Sequence, residues 1–362
     1  MSSLIVEVCK VEDSVKHPNA DKLSIITIKG WNCIVSLNQY KIGDLVVYCP
    51  PDSVIPSNLI EKYNLEYLRS NGRVGTVKLR GSISQGLILD VPEGNFKAGD
   101  NVAEILGITK YEQPESKYQK VGLQVSRKKL NPFFDKYTDI ENIKNYKNVF
   151  TESDYVVITE KIHGSNARFG CLPIVVSKSQ SVFKNIKNLI LKNIFHKTHE
   201  FVYGSHNVQL HGDKKNNFYG SDLWGQMAKK YNMKNILEKD MIIYGEIYGS
   251  GIQDLTYGLK NKDIDLVVFD IKKNGKYLSW FEVHDFCYKN NLKTVPGLYT
   301  GVFYDGIVEK FTNGKSILCP DQIREGCVIK TYYEDKDILI GRKILKSVST
   351  DYLLRKNGTE FK

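Results

Sequence analysis

The sequence predicts an α+β protein of two units, a small β-barrel in front and a mostly antiparallel sheet behind. Three observations predict it. The chain has 362 residues, more than a single hydrophobic core usually serves. Its first hundred residues carry short apolar runs punctuated by glycine and proline, the texture of closely spaced strands. Strand-length apolar runs return after residue 148, behind a polar and basic stretch.

The elements follow in order. KLSIITIKGWNCIVSL (residues 22–37) reads as two strands broken at Lys29-Gly30. GDLVVYCPPDSVIP (43–56) gives a third strand closed by prolines. GTVKLRGSISQGLILDVPEG (75–94) adds further strands with turns at Gly81 and Gly86. Residues 111–148 are polar, basic and weakly periodic, as a connector would be. Beyond them, residues 155–158, 241–244, 265–271, 327–332 and 338–340 are expected to be strands. SVFKNIKNLILKNIF (181–195) places Ile186, Leu189, Ile190 and Ile194 at helical spacing among lysines, which reads as a solvated helix inside a possible insertion. The division is then 1–110 for the barrel, 111–148 for a basic linker and 149–362 for the second domain.

Composition narrows the function classes. No apolar run approaches a membrane span, and the start MSSLIVEVCKVED lacks a signal-peptide pattern. Seven scattered cysteines form no CxxC pair, which argues against a disulfide framework or zinc site and for a reducing, cytoplasmic setting. His196 and His199, spaced HxxH, read as surface residues. A formal charge of +10 suits a polyanionic partner such as nucleic acid.

Four segments of the second domain share one pattern, an apolar strand ending in a polar residue beside glycine. They are ITEKIHGSN with Lys161, IIYGEIYG with Glu246, REGCVIK with Glu325 and Lys330, and GRKILKSVS with Lys346. Each residue alone reads as a solvated lysine or an ordinary turn acid. In this order they form a set suited to phosphoryl chemistry. Carboxylates can hold Mg²⁺, and ammonium groups offset charge on phosphate oxygens. A lysine among other cations and a metal has its pKa lowered, as a nucleophilic amine requires.

Taken in order, these segments resemble the nucleotidyltransferase motifs of covalent ligases and capping enzymes. KIHGSN resembles motif I in the form found in RNA ligases, YGEIYG motif III, VVFDI (267–271) motif IIIa, EGCVIK motif IV and ILKSVSTDYL motif V. VYGSHNVQL (202–210) matches the segment between motifs I and III. HPNADKL (17–23), GDLVVYCPPDSVIP and LRGSISQGL resemble the OB-fold module that precedes the nucleotidyltransferase domain in one group of ATP-dependent RNA ligases. The resemblance spans nearly the whole chain. It implies that Lys161 attacks the α-phosphorus of ATP, that AMP passes from the lysine to a 5′-phosphate, and that a 3′-hydroxyl then displaces AMP. It further implies that Glu160, Ile162, Asn166, Ser205 and Glu246 line the nucleotide site and that Phe269 stacks on adenine. Glu325 and Glu246 would hold Mg²⁺, for which Mn²⁺ can substitute, and Lys330 and Lys346 would bind phosphate. His163 would sit near the metal or assist sealing. The expected partner is RNA or an RNA-containing nicked duplex, with no membrane, and the expected state is a monomer.

Some positions depart from the pattern. Motif V often reads K-x-K, but Val348 takes the second place, and His206 follows Ser205 where arginine is common. Two other readings compete. A DNA ligase or GTP-using capping guanylyltransferase would place its OB domain after motif V, where only sixteen residues follow Lys346. A nucleic-acid-binding OB protein with a degenerate second domain would use Trp31, Tyr40 and Tyr48 as a stacking face, but the intact Lys161, Glu246, Glu325 and Lys330 weigh against decay. In the favoured reading the OB unit holds the strand bearing the 3′-hydroxyl, helped by Arg127, Lys128 and Lys129.

Overall fold

The computed structural model describes residues 4–68, 71–111, 131–175, 198–210 and 222–355. The expected helix at 181–195, His196 and the basic run at 127–129 lie outside these residues.

Side-chain alternation builds the first unit. In strand Leu45–Cys49, Val46 and Tyr48 enter one core with Cys9, Val11, Ile26 and Ile28. Val47 and Cys49 enter another with Val6, Val8, Ile55 and Leu59. A strand's two-residue period sends neighbours to opposite faces, so this strand is covered on both sides. The first core fills the barrel. The second seats helices Ser57–Tyr63 and Ala103–Leu106.

Glu7–Lys10, Leu45–Cys49 and Leu87–Leu89 make one antiparallel sheet, and Asp13–Lys16, Leu23–Ile28 and Trp31–Ser36 make another. The hairpin Thr76–Leu79 and Ser82–Gln85 bridges them. The Ile34 amide donates to Ser84 Oγ at 3.0 Å and Cys33 Sγ to the Gln85 carbonyl at 3.3 Å. The expected barrel therefore closes through side-chain bonds at this seam, where no backbone ladder joins the two strands. Gly86 makes the corner after it at φ 106°, and a Cβ there would come within 2.5 Å of the Tyr48 ring. His17 pins the HPNADKL turn to the hairpin: the Asn19 amide donates to Nδ1 at 3.0 Å, leaving Nε2–H for the Leu79 carbonyl at 3.1 Å.

The second unit stacks two sheets. The five-stranded one runs Glu141–Asn142, Ile344–Val348, Gly326–Thr331, Tyr155–Lys161, Gly297–Val302, antiparallel except for its first pair. The six-stranded one runs Gln209–Leu210, His199–Gly204, Ser165–Pro173, Met241–Gly249, Ile264–Lys273, Lys276–Tyr277, antiparallel throughout. Ile242 and Tyr244 face Phe134, Tyr137 and Ile344. Met241, Ile243 and Ile247 share a core with Trp224, Met227 and Val283 of helices Leu223–Lys230 and Trp280–Lys289. Residues 162–164 carry the chain from one sheet to the other. Gly164 permits the passage, since a Cβ there would lie 2.2 Å from the Ile247 carbonyl oxygen.

Three expectations are corrected. The run 338–340 is not a strand but an exposed hairpin tip, with Ile338 at 101% and Leu339 at 78% exposure. Asp337 Oδ1 accepts from the Leu339 amide at 2.8 Å and the Ile340 amide at 3.2 Å, which turns the chain before a ladder can form. Residues 131–148 are more than a connector. Phe134 and Tyr137 are buried against the six-stranded sheet, and Glu141–Asn142 adds a parallel strand beside Ile344–Val348. His199, expected at the surface, is mostly buried and stands 3.2 Å from Asp240 Oδ1. No helix of the described residues is long and apolar enough to cross a membrane.

Candidate active site

Register assembles the site. Lys161 ends its strand opposite Gly326, which sets Glu325 beside it, and Asn166 pairs with Glu246 on the other sheet. The Lys161 ammonium donates to Glu325 Oε1. The Glu325 side chain is 2% exposed, and its second oxygen has no partner. Lys346 lies one strand away, opposite Val328. Burial and then the Lys161 charge hold its pKa below the usual lysine value.

Lys161, Ile162 and Glu246 line two cavities at once. The smaller, of about 140 Å³, lies between the sheets, with Tyr137, Phe269, Val328 and Ile344 as apolar walls. Glu160, Asn166 and Lys330 give it polar groups. The Ile317 amide donates to Glu160 Oε2 at 2.8 Å, while Oε1 is buried without a partner. The Asn166 side-chain oxygen is likewise unpartnered. Glu160 Oε1, Asn166 Oδ1 and Glu325 Oε2 are three of the five such atoms among the described residues. Buried acceptors are rarely left unpaired, so Glu160 and Asn166 on the smaller cavity, with Glu325 on the larger one, mark this region as a candidate ligand site.

Lys330 reaches this cavity from a buried ion network. Its ammonium stands 3.2 Å from Asp270 Oδ1, and burial lowers its pKa against the pull of that carboxylate. Arg342 Nη2 and the Tyr137 hydroxyl both donate to Asp270 Oδ2 at 2.8 Å. Sequence reasoning missed Tyr137 and Asp270, though Asp270 lies inside the quoted VVFDI.

The larger cavity, about 950 Å³, separates the barrel from the second unit. Arg73, Lys29 and Lys110 face it from the barrel side, and Lys161, His163 and Lys346 from the other. Trp31 spans the junction: its indole N–H donates to Asn145 Oδ1 at 3.1 Å, and the Lys144 ammonium lies 4.6 Å above its ring. Trp31, Tyr40 and Tyr48 are all buried, so they form no open stacking surface, though Trp31 and Tyr48 border the larger cavity.

Ser205 lines neither cavity. Its carbonyl accepts from Arg168 Nε at 2.8 Å, and Arg168 also binds the carbonyls of Phe134 and Asp135. His206 stands 3.8 Å from Asp139, and burial lowers its pKa, which keeps the ring neutral near pH 7. His163 is buried and braced from several sides.

Among the described residues no three metal-ligating side chains converge on one point. Glu246 and Glu325 suit instead a hard cation that keeps most of its water and takes one or two carboxylates. Burial raises the Glu246 carboxyl to about 8, with Lys161 pulling it down and Glu325 adding to the rise. The folded form thus keeps its proton to higher pH than the unfolded chain. Stability must fall as pH rises from about 4.5 to about 8 and level off above. Glu246→Gln is expected to melt higher than the parent at the alkaline end and to flatten this slope, as thermal melts across that range would show. Parallel melting curves would rule it out.

A family model described as RNA ligase matches residues 154–348, and one described as an OB-fold domain matches residues 5–91. Among solved structures, Naegleria gruberi RNA ligase with PPi is 24% identical with a TM-score of 0.70, over 98% of this chain and 98% of that one. A lysine-to-methionine variant of that ligase with AMP and Mn is 23% identical with a TM-score of 0.69, over 96% of this chain and 98% of that one. These likenesses are of fold, and they agree with an amino-terminal OB barrel ahead of the two-sheet unit. No curated protein sequence matches the chain. The RNA-ligase match covers more than half of the sequence and contains Lys161, Glu246, Glu325, Lys330 and Lys346, and the chain belongs to the RNA ligase family.

Proposed function

We propose that the protein joins RNA ends with ATP through AMP carried on Lys161. The observation that carries this reading is the position of the Lys161 ammonium, lining both a small cavity with aromatic walls and a much larger cleft between the two units. Nζ attacks the α-phosphorus, the P–N bond forms, and pyrophosphate leaves with the electrons of the broken P–O bond. Glu325, already hydrogen-bonded to Nζ, is the nearest base for the departing proton. Lys346 offsets charge on the phosphate oxygens, and Phe269 and Tyr137 offer faces to the base. A divalent cation held by Glu325 and Glu246 would stabilise charge on the leaving phosphates. The Naegleria structures hold ATP or AMP with Mn, and PPi, the set of species such a step requires.

Glu160 Oε1 supports ATP as the nucleotide. An unpaired acceptor on a residue that lines the small cavity complements the amino group of adenine and opposes the carbonyl of guanine. The larger cleft suits an RNA-containing duplex with a nick, and because one chain builds both walls, a monomer suffices. Seven free thiols fit a reducing, cytoplasmic setting.

Incubation with α-phosphate-labelled ATP or GTP and Mg²⁺ tests the reading. Denaturation-resistant label is expected from ATP. Glu160→Gln, whose amide can both donate and accept, should narrow the preference over GTP by about tenfold. Equal labelling of the parent by GTP would move the protein toward capping chemistry, and none from either nucleotide would end the enzyme reading.

A further inference from the structure

The turn behind the nucleophile is held by residues far along the chain. His163 Nε2 lies 2.9 Å from Asp254 Oδ1 and its Nδ1 lies 3.0 Å from the Tyr352 hydroxyl. A carboxylate only accepts, so Nε2 carries the proton and Nδ1 accepts from the phenol. The His163 backbone N–H donates to the Tyr257 hydroxyl at 2.7 Å. Behind these, Arg355 Nε donates to Asp254 Oδ2 at 2.6 Å, and its guanidinium lies 3.5 Å from the Tyr352 ring. The imidazole is therefore engaged at both nitrogens, and it sits edge-on to a tyrosine that is fully buried.

Placement indicates what this brace serves. His163, Gln253, Thr350 and Leu353 line the larger cleft, while neither His163 nor any member of the brace lines the smaller cavity. Tyr352 belongs to helix Thr350–Leu353, which follows directly on the strand carrying Lys346. The brace thus ties the Lys161 turn to the element that presents Lys346, on the polynucleotide side.

We propose that Tyr352 and Asp254 are positioning residues for the sealing half of the reaction, fixing the His163 ring and the turn that carries it from helix Thr350–Leu353. The inference rests on the ligase reading above. In that half the 3′-hydroxyl oxygen bonds to the 5′-phosphorus of an adenylylated end, the bond to AMP breaks, AMP leaves with the electron pair, and the hydroxyl proton passes to water. His163 contributes by geometry and transfers no proton in this scheme, since its Nε2–H is donated to Asp254 and its Nδ1 accepts from Tyr352.

The test separates the halves: covalent labelling of Lys161 by ATP, and sealing of a preadenylylated RNA strand on a complementary template. For Tyr352→Phe and Asp254→Ala, sealing is expected to fall about tenfold or more while labelling stays within about threefold, since small misplacements weigh most on the step whose reactants the turn aligns. Asp254→Asn, which retains an acceptor oxygen for Nε2–H, should recover much of the sealing. Unchanged sealing in Tyr352→Phe and Asp254→Ala would overturn the proposal. So would equal loss in both halves, because damage to the fold lowers them together. Absence of label in the parent protein would instead remove the ligase reading, and the proposal with it.

Discussion

Lys161→Arg is expected to leave the protein folded and without covalent label. Glu325 is almost wholly buried, and the Lys161 ammonium is its partner. Removing one member of such a pair costs about 3–5 kcal/mol by leaving the other charge alone, so Lys161→Ala should lose both stability and label. Arginine keeps the positive charge beside Glu325. Its guanidinium does not shed a proton in proteins, so it offers phosphorus no lone pair. Label from ATP should fall by at least about three orders of magnitude, with a melting temperature close to that of the parent. Retained label in the arginine variant would place the nucleophile elsewhere.

The second large effect falls on stability. Asp270 is fully buried and joins Lys330, Arg342 and Tyr137. Burial alone would raise its pKa, yet Lys330 and Arg342 hold the carboxyl below its ordinary value. Asp270→Ala takes from the buried Lys330 its carboxylate partner and leaves Arg342 beside it with Glu334 alone. A loss of about 3–5 kcal/mol follows, or roughly 10 °C in melting temperature for a unit of this size. Because the folded pKa is depressed, the stabilisation Asp270 gives is present above the ordinary aspartate range and is lost as pH falls through the folded value. Asp270→Asn should therefore flatten the acid limb of the stability curve. Calorimetry at several pH values reads both effects, and an unshifted melt in Asp270→Ala would contradict the ion network.

How far the sequence revealed this site depends on which residues carried a local signal. Lys161, Glu246, Glu325, Lys330 and Lys346 stood out because each lies in a strand or at its end beside an apolar run, where pattern is strong. That Lys161 meets Glu325 across 164 positions depends on ladder register, which no local window carries. Residues 131–148 misled for a different reason. Phe134, Tyr137, Ile140 and Ile143 recur at spacings of three, matching no strand period and diluted by charge, yet each packs on the second unit. Residues 338–340 misled in the opposite direction, since three apolar residues in a row look like a strand until Asp337 turns the chain and leaves Ile338 and Leu339 exposed. Tyr352, though inside the quoted ILKSVSTDYL, and Asp254 gave no signal of their own, because a hydroxyl and a carboxylate acquire meaning only beside the imidazole they hold.

The short pairing of Glu141–Asn142 with Ile344–Val348 has a consequence for solubility. The two sheets of the second unit have four edges, and among the described residues three of them are strands of two residues: Glu141–Asn142, Gln209–Leu210 and Lys276–Tyr277. An edge of that length offers a neighbouring molecule few unpaired amides and carbonyls to extend. Without Glu141–Asn142, the apolar strand Ile344–Val348 would present its full length as a template for another chain. The same two residues that carry the chain toward the site thus also shield the Lys346 strand from edge-to-edge association between molecules.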